Sequence, residues 1–144
     1  MGKVGIVYWS GTGNTEAMAA AMAEGAKDAG AEVELLTVDK ADASALSEAK
    51  AFALGCPAMG AEELEEGEME PFMAELDSRI AGKTIALFGS YGWGGGEWMR
   101  DWESRVVSDG AAVLSGEGII ADNAPDDDVL AECRAAGAKL AALV

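Results

Sequence analysis

The chain has 144 residues, 50% of them apolar and 25% charged, which suits one soluble domain with a core of its own and leaves too little for two. Histidine is absent and the only cysteines are Cys56 and Cys133, which excludes His-based nucleophile pairs and any zinc or iron–sulfur ligand set. With 26 acids against 10 bases the formal charge is −16, so nucleic acids and anionic membrane surfaces are excluded as partners and a basic protein is the natural counterpart.

Residues 4–9 form a short apolar run that predicts a buried strand ending at Ser10 and Gly11. Residues 14–29 are rich in Ala, Met, Glu and Lys; Ala17, Met18, Ala21, Met22 and Ala26 fall on one helical face, and Gly30 stops the helix. Residues 33–38 predict a second strand, followed by a short alanine-rich helix opened by Asp42 or Ser44. Residues 51–56 predict a third buried strand, closed by Pro57, and a Gly- and Glu-rich loop then leads to a helix over 70–80. Residues 83–89 predict the fourth strand, which runs into the glycine-rich turn 90–96. A helix over 97–107 puts Trp98, Trp102 and Val106 at core spacing. Residues 111–114 and 118–120 together predict a last strand, and 126–143 a last helix after Pro125.

Strands alternating with helices predict an α/β fold: a doubly wound, five-stranded parallel sheet of order 2-1-3-4-5 with helices on both faces. No linker or repeat interrupts it, so a single domain over 1–144 is expected. No apolar run approaches the ~18 residues needed to cross a bilayer, and the N-terminus leads straight into a strand without a signal-peptide core. A cytoplasmic protein with reduced thiols is therefore expected. Any demanding chemistry must come from a cofactor.

In such a sheet ligands bind beyond the carboxyl ends of the strands, where the strand order reverses, so the loops after strands one, three and four converge. The first, Ser10-Gly11-Thr12-Gly13-Asn14-Thr15, sets hydroxyls and an amide beside two glycines at a helix N-terminus, which is chemistry for a phosphate. It is neither a Walker A loop, having no Lys after the second glycine, nor a dinucleotide fingerprint, because Glu16 stands where the third glycine belongs. The bland alternative is a strand-to-helix turn with a cap. The second loop, Pro57-Ala58-Met59-Gly60-Ala61-Glu62, passes by itself for an ordinary turn. The third, Ser90-Tyr91-Gly92-Trp93-Gly94-Gly95-Gly96, surrounds a Trp with glycines, which suits a flat ring lying on backbone with the indole stacked on it. A phosphate nest without cations and an aromatic plate together specify a long ligand with an anionic tail and a planar head; ATP suits this poorly and FMN well.

These three motifs, together with Cys56 before the second and Phe88-Gly89 before the third, resemble the flavodoxins, specifically the short-chain type of anaerobic bacteria, over essentially the whole chain. The resemblance implies a low-potential one-electron carrier with non-covalently bound FMN, shuttling between semiquinone and hydroquinone, rather than an enzyme. It implies that Ser10, Thr12, Asn14 and Thr15, with nearby amides, bind the phosphate. It also implies that Met59 and Trp93 sandwich the isoalloxazine, that Gly60 and Glu62 address N5 and N3, and that Ser90, Tyr91 and Gly92 line the polar edge, with Asn123 a further contact near Trp93. Gly11, Gly13, Pro57, Ala58, Ala61 and Gly94 complete the expected cofactor-binding set. Relatives often carry Ser or Thr where Pro57 stands and a polar residue in place of Ala61.

The expected partners are basic-faced redox proteins, meaning reductases and low-potential oxidoreductases that also use ferredoxin, met by a monomer. A peptide flip at Met59–Gly60 that offers a carbonyl to N5–H is expected to stabilise the semiquinone by roughly 1–2 kcal/mol, where ~1.4 kcal/mol is ~59 mV; Gly60→Val is expected to remove that gain. Between Glu62 and Asp77 the sequence places eight carboxylates and no base. One carboxylate ~12 Å from an anionic ring at an effective dielectric of ~40 lowers the second potential by about 30 mV, before salt screening. Three competitors weigh less. An FMN-dependent quinone or nitro reductase needs a second polar cluster over the ring. A response regulator needs acids where Trp9-Ser10 stands, and a small tyrosine phosphatase needs C-x5-R, whereas Glu62 and Lys139 stand six places after the cysteines.

Overall fold

Alternation along the central strands divides the core in two. Phe52 and Leu54 of the third strand and Ile85 and Leu87 of the fourth point to one face of the sheet, while Ala51, Ala53, Ala86 and Phe88 point to the other. The computed structural model describes residues 2–11, 13–59 and 63–144. In chain order its elements are β1 (Lys3–Tyr8), α1 (Asn14–Asp28), β2 (Glu32–Thr37), α2 (Ala43–Leu46), β3 (Ala51–Gly55), α3 (Met69–Leu76), β4 (Thr84–Tyr91), α4 (Glu97–Ser108), β5 (Ala112–Val113), β6 (Ile119–Asp122) and α5 (Asp127–Leu143). Every ladder between these strands is parallel, in the order β2-β1-β3-β4, with β5 and β6 both along the outer edge of β4.

The expected order 2-1-3-4-5 therefore holds, with the fifth position split in two. Thr84 faces Ala112 and Phe88 faces Ile119, so four steps along β4 match seven along its neighbour. The extra residues leave the ladder at Leu114–Gly116, where Ser115 takes a φ of 63° and Gly116 one of 87°. The second strand ends one residue before its expected close, because Val38 turns into a short 3-10 segment.

α1 and α5 cover one face, where Met18, Met22, Ala26, Cys133 and Leu140 meet the small alanines of β3 and β4. Ala17, expected on the buried face of α1, is exposed; Thr15, Ala19 and Ala23 are buried instead, because α5 shifts the covered stripe. α3 and α4 cover the other face with Phe72, Met73, Leu76, Trp98, Trp102 and Val106, as the tryptophan spacing predicts. Caps set the helix starts: Asp42 accepts from the Ser44 amide at 2.9 Å, deciding between the two expected openings of α2, and Asp126 accepts from the Val129 amide at 2.9 Å.

Candidate functional site

β1 and β3 are neighbours, yet the chain leaves β1 toward β2 on one side and β3 toward β4 on the other, so a cleft opens at their carboxyl ends. It has a volume of about 390 Å³, within the range of small-ligand pockets. Trp9, Gly11 and Asn14 line it after β1, and Pro57, Ala58 and Met59 after β3. Ser90, Tyr91, Gly92 and Trp93 line it at the end of β4, and Asn123 after β6. A second recess of about 480 Å³ lies along β1 and β2 beside α2, lined by Lys3, Val7, Leu36, Lys40 and Glu48 and sharing no residue with the cleft.

At one end of the cleft the Ser10 hydroxyl accepts from the amides of Gly13, at 3.1 Å, and Glu16, at 3.3 Å. Both of its lone pairs are then used, and what remains is its proton, which needs an acceptor. Gly13 takes a φ of 93°, a conformation a side chain would strain, and so brings the start of α1 round to the cleft. Among the described residues the side chain of Asn14 has no hydrogen-bond partner in this turn, and no basic side chain enters it. The donor set is therefore neutral hydroxyl, amide and helix end, which fits a phosphate monoester. Thr15 lies beneath, buried, with its hydroxyl 3.4 Å from both the Ser90 hydroxyl and the Ser90 amide, so it joins the phosphate turn to β4.

At the other end stand Met59 and Trp93, the indole 52% exposed. Met59 is fixed by a reciprocal pair of backbone hydrogen bonds with Glu63, each 2.9 Å, while the Ala58 amide donates to the Ser90 carbonyl at 3.0 Å. Behind it the Trp98 indole N–H donates to the Cys56 carbonyl at 2.9 Å, fixing the start of this loop from α4. Asn123 takes a φ of 59°, and its amide donates to the Tyr91 carbonyl at 2.7 Å, which brings it to the cleft wall. A thioether and an indole flanking an open slot suit a flat heterocycle. Taken with the phosphate end, the residues present fit FMN.

Gly94 is exposed and lies outside the cleft wall; it and Gly96 take φ values of 77° and 88°, so these glycines serve the turn itself as much as any approach by a ring. Thr12, Gly60, Ala61 and Glu62 lie outside the described residues, and with them the expected flip at Met59–Gly60. Trp9 was not expected to line the cleft. Its position as the last residue before the phosphate motif, at the end of a strand that points there, was the available signal.

The acidic segment differs from the expectation of eight carboxylates without a base. Arg105 reaches across from α4 and holds Glu70 with two hydrogen bonds of 2.8 Å and Asp77 with three of 2.7 to 3.3 Å. Glu65 folds back on its own loop, accepting from the amides of Gly67, Glu68 and Met69 at 2.7 to 3.0 Å. Burial alone would raise the Glu65 carboxyl, but these amides outweigh it and hold it below the usual carboxylate range. Glu63, Glu65 and Glu66 line, with Met59, a recess of about 310 Å³, so an acidic rim still adjoins the ring end. Both thiols are buried and unpaired, and burial pushes Cys56 and Cys133 up to about 12.

A family model described as Flavodoxin matches residues 6–137. The chain is 47% identical over 135 residues to a flavodoxin of Megasphaera elsdenii, covering 92% of this chain and 98% of that one. It is 48% identical over 122 residues to a flavodoxin of Clostridium beijerinckii, covering 85% and 88%. Among solved structures, that of two-electron reduced Megasphaera elsdenii flavodoxin superposes with a TM-score of 0.85 at 45% identity, over 96% of this chain and 99% of that one.

Proposed function

The chain belongs to the flavodoxin family and is an FMN-binding one-electron carrier rather than an enzyme, and from that premise we propose which residues hold the cofactor and what kind of partner it meets. FMN supplies the redox chemistry, cycling between its half-reduced and fully reduced states. Ser10, Thr12, Asn14 and Thr15, with the amides opening α1, hold its phosphate. Met59 and Trp93 flank its ring, and Ser90, Tyr91, Gly92 and Asn123 edge it. Thr12 among these, and the further members Gly60, Ala61 and Glu62, rest on sequence alone. One observation carries the reading: a single cleft has an anion-seeking turn at one end and a Met–Trp slot at the other.

The reading is tested by separating the two ends. Ser10→Ala should weaken FMN binding by roughly 10- to 100-fold and leave riboflavin binding nearly unchanged, whereas Trp93→Ala should weaken both. Equal losses for FMN and riboflavin in Ser10→Ala would remove the phosphate assignment.

The carrier works with oxidoreductase partners, and we infer that their docking faces are basic, as in reductases and low-potential oxidoreductases that also accept ferredoxin. The charge of −16 and the carboxylates beside Met59 support this. The same reading makes the protein a single-domain cytoplasmic monomer; among the described residues no helix is long and apolar enough to cross a membrane.

A further inference from the structure

The loop that presents Met59 is tied down at three points. It is closed on itself by the Met59–Glu63 backbone pair. Its far end is wrapped round the Glu65 carboxylate, which takes the amide of Glu68 at 2.7 Å. The third tie comes from outside the loop. Trp9, half-buried at the end of β1, donates its indole N–H to the Glu68 carboxylate at 3.2 Å, a contact across 59 residues of chain. The same indole lines the cofactor cleft and packs on Gly11 of the phosphate turn, where even a methyl group would come within 3.1 Å of the ring. It also packs against the apolar core beneath α3 and α4. Trp9 thus contacts the phosphate turn directly and, through Glu68, the end of the segment that follows Met59.

We propose that Trp9 is a positioning residue of the flavin cleft: through Glu68 it straps the Met59 loop to the phosphate turn, so that the two ends of the cofactor are gripped as one unit. The proposal rests on the FMN reading but concerns only this chain's own residues. Glu68 is held in place by Glu65 on its backbone side and by Trp9 on its side-chain side, so the strap has a fixed anchor. Loss of the indole N–H frees the loop end without removing the aromatic wall.

Two kinds of variant separate the strap from charge. Trp9→Phe keeps a ring and deletes the donor; Glu68→Ala deletes the acceptor; Glu68→Gln keeps an acceptor and removes only the charge. Removing a negative charge beside an anionic cofactor should slow its release, whereas cutting the strap should speed it, so the two causes have opposite signs. FMN release from the loaded protein is followed on dilution by flavin fluorescence, and hydrogen exchange is followed at the Met59 and Glu63 amides. Trp9→Phe and Glu68→Ala should each release FMN about three- to tenfold faster and exchange faster at both amides. Their double variant should go no faster than either alone, and Glu68→Gln should restore slow release. Wild-type release and exchange in Trp9→Phe, multiplicative effects in the double variant, or Glu68→Gln behaving like Glu68→Ala would each overturn the proposal. Should Trp9→Phe fail to fold, the two Glu68 variants decide the matter. Should the protein take up no FMN, the cofactor reading fails, and exchange at Met59 and Glu63 in the bare chain still tests the strap.

Discussion

Trp98 and Trp102 stand one turn apart on α4 and are equally buried, yet only Trp98 has a hydrogen-bond partner; the Trp102 indole N–H is buried without one. Trp98→Phe strands the Cys56 carbonyl, whereas Trp102→Phe deletes a donor that already lacks an acceptor. The first should therefore cost about 1–3 kcal/mol more than the second in denaturant unfolding; equal losses would contradict the assignment. Both thiols should stay unreactive toward a disulfide reagent in the native protein and become reactive only on unfolding, since burial suppresses the thiolate. At this scale the sequence was informative where chemistry is local. The hydroxyls around Gly11 and Gly13 read as an anion turn by type and spacing alone. The hydrogen bond of Thr15 with Ser90, 75 residues away, did not, because only the sheet brings those two together.

α3 and α4 are joined by a clamp that neither helix shows by itself. Burial raises the Asp77 carboxyl, but hydrogen bonds from Arg105 outweigh it and hold it below its ordinary value. Asp109, at the end of α4, is pushed up to about 6 by burial and by the neighbouring Asp77 carboxylate, and its Oδ2 is buried without a partner. The signs oppose each other. The native state binds more protons than the unfolded chain at Asp109, so that group lowers stability as pH rises from about 4 to 6. Asp77 contributes stability that is lost as pH falls through its depressed value. Asp109→Asn should therefore stabilise the protein by about 1 kcal/mol at pH 8 and by little at pH 4, after discounting for partial exposure. A pH-independent effect on thermal unfolding would contradict this. The segment 62–77 reads as eight acids and nothing else, because its base, Arg105, comes from another helix. The split fifth strand was half legible: two apolar segments were apparent, but the three-residue slip shows only in the register against β4.

The whole molecule carries its function in topology and charge. The order of strands was legible because each β-α pair announces itself by period, and that order alone brings four distant loops to one cleft. Charge was legible in amount but not in placement, since Arg105 pairs with Glu70 and Asp77 and leaves a narrower acidic rim than the count implies. With a formal charge of −16, electron transfer to a basic acceptor protein should slow as salt is raised from about 10 to 300 mM, over which the Debye length shrinks from ~30 Å to below 10 Å. Stopped-flow rates that do not fall would contradict electrostatic docking.

The most direct measurement is a stepwise anaerobic reduction of the purified protein, followed by its visible spectrum. One FMN per chain, with the colour passing from yellow through blue to pale in two resolved one-electron steps, is the predicted result. A protein that stays colourless after incubation with FMN, or whose bound flavin bleaches in a single two-electron step, would contradict it.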